Sequence, residues 1–221
     1  MAEIIPAIIE KSYEDLKNKI ALVRGVAPLV QIDICDGVFV STVNWPFLSN
    51  AGNAESFLGN NFDQHFLNIL NEQEGLPFWE DMDFELDLMV ANAVENFDIY
   101  MKLGPRRVIF HLEAVGDLNE FKDFLEGIDS YVRDVVEIGV AFKPSTPLEK
   151  VFPLTSYVDF VQCMGNDKIG QKGVALDEKV YEIVKTLRER YYDLPIAVDI
   201  GVNEKTAPML VEVGATKLVM G

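Results

Sequence analysis

Eight short runs of apolar, β-branched residues recur along the chain, and amphipathic stretches separate most of them. The strand candidates are 4–9, 29–35, 84–90, 107–112, 138–142, 158–164, 196–201 and 217–220. The helical stretches include 12–23, 91–103, 118–135, 147–154, 177–191 and 204–213. Ser12 is placed as an N-cap with Asp15 in the capping-box position, Asn203 as a cap before Val211, and Gly104 and Gly214 as helix stops. Strand–helix alternation implies a parallel sheet. Eight such units in 221 residues predict an α/β fold, a single-domain (β/α)8 TIM barrel over residues 1–221.

Two features depart from an ideal barrel. The connection from Val40 to Asp83 is longer than a βα unit needs, giving an insertion between strands two and three at about 48–82, rich in Asn, Gly and Ser near 49–61 and helical near 63–71. Trp45 and Trp79 flank it and are expected to pack it down. The sequence stops just after the eighth strand without an eighth helix, so either a further tail or another element is expected to cover the barrel's last seam.

Side chains alternate along a strand, and a barrel's outer face must be apolar to receive helices. In VQIDICDG, residues 30–37, that rule turns Gln31, Asp33 and Cys35 inward. Glu85, Asp87 and Met89 share one face of the third strand; Arg107, Ile109, His111 and Glu113 share one on the fourth. Lys143, then Gln162 with Met164, then Asp199 with Gly201 follow on later strands. A lone buried acid costs several kcal/mol unless paired or neutralised, so Asp33, Asp87, His111, Glu113, Lys143 and Asp199 converging on one barrel mouth read as a ligand or catalytic site.

The formal net charge of −17 argues against nucleic acid or an anionic membrane as partner, while leaving room for an anionic metabolite in a locally positive pocket. Two cysteines, Cys35 and Cys163, lie in apolar runs, which fits a reducing cytoplasm and no disulfide. The N-terminus has neither a basic region nor a long apolar run, so no signal peptide is expected, and no stretch is long enough to span a membrane.

These motifs, in order, resemble those of the ribulose-phosphate 3-epimerases: IIPAII, IDICDGVFV, LDLMV, HLEA, GVAFKPSTPLE, VDFVQCMG with GQK, and VDIGVNEKTAPMLVEVGATKLVMG. The resemblance implies an isomerase that interconverts D-ribulose 5-phosphate and D-xylulose 5-phosphate through a metal-stabilised enediolate. Asp33 and Asp199 would be the two catalytic aspartates, and a homo-oligomer is implied. The family's metal is held by two histidines and these aspartates. Gln31 and Asp87 stand where the histidines would be, giving a candidate metal set of Gln31, Asp33, Asp87 and Asp199. Oxygen ligands of this kind favour a divalent cation such as manganese or magnesium over zinc. Without metal, Asp87 would be protonated or paired with Lys143, and Gln31 would hydrogen-bond Asp33. Ala7 replaces an early serine, Cys35 replaces a methionine, and the loop after strand six is shortened to GNDKIGQK with Gly170 and Gln171 kept. The candidate substrate and phosphate contacts are Met89, Lys143, Met164, Gly170, Gln171, Gly201 and Gly221, with His111 and Glu113 supporting the site from behind. Lys143 either meets an anionic substrate or balances the interior acids. Two readings stay open: an epimerase of this or another ketose phosphate, and a non-catalytic barrel homologue with a binding or regulatory role.

Overall fold

The β-branched runs form eight parallel strands that close into a barrel in the order β1 to β8. The structure is a computed structural model that describes residues 2–48 and 61–221. The strands are β1 (Glu3–Ile8), β2 (Leu29–Cys35), β3 (Asp83–Met89), β4 (Arg107–His111), β5 (Glu137–Phe142), β6 (Phe160–Met164), β7 (Ile196–Asp199) and β8 (Lys217–Met220). β8 pairs with both β7 and β1 and closes the barrel. Around them lie α1 (Tyr13–Val23), α2 (Gln64–Leu70), α3 (Phe97–Met101), α4 (Leu118–Gly127), α5 (Ser130–Val135), α6 (Leu148–Val151), α7 (Lys179–Arg190) and α8 (Ala207–Glu212).

The outward strand residues, among them Val30, Ile32, Ile34, Leu86 and Phe110, join helix residues such as Leu16 and Ile20 in the main core. The inward residues stack in layers. At the amino-terminal end, Arg107 bonds Glu3 (3.0 Å), Glu137 (3.0 Å) and the fully buried Glu85 (3.4 Å), and Lys217 reaches Glu137 at 3.3 Å. Burial pushes the Glu85 carboxyl up to about 7, against the opposing pull of Arg107 and Lys217. Above this layer Phe160 fills the barrel's interior, with the Lys217 ammonium 4.0 Å over its ring. Gly139 is the residue that leaves room: a Cβ there would run into the Phe160 ring. Both cysteines are buried and free, and burial raises both thiols.

Helix boundaries depart from expectation where polar side chains compete for the backbone. Ser12 caps α1, its hydroxyl accepting from the Asp15 amide and donating to the Asp15 carboxylate. The stretch 91–103 is helical only over α3, because Asn92 and Asn96 occupy turns and the Asn96 amide donates to the Asn92 carbonyl. The expected helix at 118–135 is two helices: Gly127 ends α4, Ile128 is extended, and Asp129 caps α5 by accepting from the Tyr131 amide. The expected helix at 147–154 is one α-turn followed by a 3-10 turn, Phe152–Leu154, at Pro153. Asn203 caps the turn ahead of α8, accepting from Lys205 and Thr206 amides.

In the insertion, Asp63 caps α2 and accepts from the Trp45 indole at 3.2 Å, and Trp45 packs edge-on against Phe66. His65 stacks on Tyr13 at 4.0 Å. Trp79 corrects the expectation that both tryptophans are packed down: it is 62% exposed and lies beside Gly75. The Asn- and Gly-rich part at 49–60 lies outside the described residues.

Candidate active site

Parallel pairing sets the three aspartates. Asp33 and Asp87 are register partners on β2 and β3, and Asp199 ends β7, beyond β8 and β1 from β2. The wall between them is small and apolar, from Ala7 on β1 and Val219 on β8. The three carboxylates bring oxygen atoms within 4.8 Å of one another. All three are buried, and Asp87 is fully so.

Each carboxylate is held by named donors. Gln31 turns its amide nitrogen to Asp33 (2.8 Å) and more loosely to Asp199 (3.5 Å). The Ile200 amide donates to Asp199 at 2.7 Å. Behind Asp87, the His111 Nε2 lies 2.8 Å from one oxygen and the Gln162 amide 3.4 Å from the other. The arrangement of Gln31 follows from its two acceptor neighbours, and its own Oε1 is buried without a hydrogen-bond partner.

Crowding and burial raise the acids. Desolvation, then the Asp199 and Asp87 charges, hold Asp33 well above the usual carboxylate range. Desolvation and the Asp87 charge push Asp199 up to about 7. His111 is raised as well: burial alone would lower it, and the Asp87 carboxylate outweighs that. The cluster therefore retains protons at a pH where exposed aspartates have none.

A cavity of about 600 Å3 opens above these groups. Asp33, Asp199 and Met89 reach it, and Gly170, Gln171, Gly201 and Gly221 form part of its rim. Gly201 has φ +74 and packs so tightly on Leu176 that a Cβ would meet the backbone. Gln31 and Asp87 lie beneath the cavity and do not line it. Met164 is buried in the interior cluster with Met89, and its sulfur is near the Gln162 amide.

Lys143 and Glu113 stand apart from the cavity. The Lys143 ammonium lies 5.4 Å over the Phe39 ring rather than beside Asp87. Its backbone amide donates to Glu113, which also accepts from the Thr146 hydroxyl. Glu113 thus ties down the loop after β5. Asp87 is paired with His111, not with Lys143.

Sequence reasoning placed Gln162 on the inner face without giving it a part, and it left Asn44 out. The Asn44 side chain fixes the end of β2, accepting from the Cys35 amide and donating to the Asp33 carbonyl. Only the partners across the loop, nine and eleven residues away, reveal that role.

The model of the ribulose-phosphate 3 epimerase family matches residues 60–221. The chain belongs to the ribulose-phosphate 3-epimerase family. Membership places it among the epimerases, an isomerase class. It is similar to a ribulose-phosphate 3-epimerase of Bacillus subtilis, 26% identical over 100% of this chain and 91% of that one. A ribulose-phosphate 3-epimerase of Eremothecium gossypii is 25% identical over 99% of this chain and 84% of that protein. Among solved structures, a 3-hexulose-6-phosphate synthase superposes with a TM-score of 0.63 at 16% identity, over 99% of this chain and 89% of that one, a likeness of fold. Among the described residues, no helix of this epimerase-family chain is long and apolar enough to cross a membrane.

Proposed function

We propose that this chain interconverts D-ribulose 5-phosphate and D-xylulose 5-phosphate, with Asp33 and Asp199 as the two proton-transfer groups at C3. The observation that carries the reading is the pair itself: two carboxylates with raised affinity for protons, from strands separated by β8 and β1, facing one cavity. Inverting C3 requires one group to take a proton from one face and another to return one to the opposite face. A pair that holds a proton near neutral pH keeps one member as base and the other as acid. Gln31 donates to both members, at 2.8 Å to Asp33 and 3.5 Å to Asp199, and so favours the ionised form of Asp33 more than that of Asp199.

The residues also fit a divalent cation. Three carboxylates within 4.8 Å, two of them raised by burial and then by neighbouring carboxylate charge, are the arrangement a cation relieves, and the orphaned Gln31 Oε1 is one amide rotation from joining them. Asp33, Asp87 and Asp199 would hold the ion, with Gln31 as fourth candidate. The all-oxygen set favours manganese or magnesium over zinc. Such an ion supplies positive charge where a substrate oxygen becomes anionic as C3 loses its proton. His111 and Gln162 orient Asp87, and their bonds leave it lone pairs to spare. Met89 borders the sugar, and the rim at Gly170, Gln171, Gly201 and Gly221 receives the phosphate end.

The test is an NMR time course of ribulose 5-phosphate with manganese, magnesium or zinc. Xylulose 5-phosphate should appear, and Asp33→Asn or Asp199→Asn should slow its formation by about 10²–10⁴-fold. Manganese and magnesium should raise the melting temperature more than zinc does, and Asp87→Asn should erase that rise. A wild-type protein that converts no ketose phosphate under any of these conditions would refute the reading and leave a binding barrel.

A further inference from the structure

An acidic chain of net charge −17 whose cavity is lined by Asp33, Asp199 and Glu10 must still hold a doubly charged phosphate. Among the described residues that line the cavity, Lys19 on α1 and Lys172 on the loop after β6 carry the positive charge. Lys172 is already engaged: its ammonium lies 2.9 Å from a Glu10 carboxylate oxygen.

That pair spans the rim. Glu10 follows β1, Lys172 follows Gly170 and Gln171, and the two are 162 residues apart in sequence. Both ends are fixed. The Glu10 carbonyl accepts from the Trp45 amide at 3.0 Å, and the Gly170 carbonyl accepts from the Thr42 hydroxyl at 2.6 Å. The Lys172 side chain is 67% exposed and the Glu10 side chain 19%. With the lysine side of the pair this open to water the attraction is screened, so an incoming anion can take the ammonium from the carboxylate at modest cost. Glu10 thus sets an anionic oxygen against Lys172 at the cavity rim, as a phosphate would.

We propose that Lys172 is the ammonium that meets the phosphate of the substrate, and that Glu10 competes with that phosphate for it. The choice of phosphate rests on the function proposed above. The chemistry gives the two residues opposite signs. Removing Lys172 removes a charge-assisted bond to the anion; removing the Glu10 charge frees Lys172 and relieves repulsion at the rim. A structural ion pair would give both substitutions the same sign or no effect.

Calorimetric titration of the full chain with inorganic phosphate at low ionic strength reads this directly. Lys172→Met should weaken phosphate binding about 10-fold or more. Glu10→Gln should tighten it about 2- to 5-fold, and in the Lys172→Met background the Glu10→Gln gain should shrink. Circular dichroism on each variant checks that it is folded. Undetectable phosphate binding by the wild-type protein, Lys172→Met at wild-type affinity, or Glu10→Gln weakening binding would overturn the proposal. The titration involves no turnover, so the two readings fail separately. Opposite-signed phosphate effects without ketose conversion sink the epimerase reading alone. Ketose conversion with unchanged phosphate titrations sinks this one alone.

Discussion

Asp199→Asn should make the cation-free protein more stable at neutral pH, although the same change removes one of the two groups proposed to transfer the proton. In the unfolded chain an aspartate ionises near 4; in the fold Asp199 holds its proton up to about 7. Between those values the folded state binds more protons than the unfolded one, so stability falls as pH rises through the window from about 4 to about 7 and levels off above it. The gap between about 7 and the ordinary 3.8 corresponds to at most about 4 kcal/mol. Asparagine never ionises and escapes that loss. It also keeps the oxygen that accepts the Ile200 amide, and Gln31 has an unused Oε1 to turn toward the new NH2 group. Urea denaturation of chelator-treated protein at several pH values between 4.5 and 7.5 measures the difference. The variant's advantage should be small at the acid end and grow to a few kcal/mol at pH 7.5. Saturating manganese should cancel it by stabilising the wild type. A difference that stays the same at every pH, or a variant less stable than wild type at pH 7.5, would refute the electrostatic argument.

The rest of the barrel gives further expectations. Arg107→Met leaves Glu85 buried without its cation at the amino-terminal end, and should cost about 3–5 kcal/mol by thermal or urea unfolding. Double substitution with Glu85→Gln should recover part of that loss, since it removes the stranded charge. Gly139→Val forces a branched side chain into the Phe160 ring, and should destabilise by about 1–3 kcal/mol in the same assay. His111→Phe removes the group 2.8 Å behind Asp87; it should weaken manganese binding about 10- to 100-fold by titration while the barrel stays folded.

The barrel was legible because its strands obey one rule. Outer faces must be apolar, so each inward polar residue announces itself, and Asp33, Asp87 and Asp199 do meet as that rule requires. Local competition for backbone groups was harder to read. Periodicity ran straight through 118–135, and only the Asp129 cap shows the break. Pairing between strands was also hidden. Alternation says that Lys143 leaves the sheet on the inner face, but not that its ammonium settles over Phe39 while His111 takes Asp87. Gln162 reads as a polar core residue until β6 is placed where its amide reaches Asp87. The Glu10–Lys172 pair joins loops 162 residues apart, and although Lys172 falls in the GQK motif, no local pattern shows its carboxylate partner.

Asp33 and Asp199, as the proposed acid and base, would exchange the C3 proton with solvent. Incubating ribulose 5-phosphate with the manganese-loaded protein in deuterated water tests this exchange most directly. Xylulose 5-phosphate should carry one solvent deuterium at C3, and Asp33→Asn or Asp199→Asn should form it about 10²–10⁴-fold more slowly. Xylulose 5-phosphate without deuterium at C3, or either variant converting at the wild-type rate, would contradict the proposal.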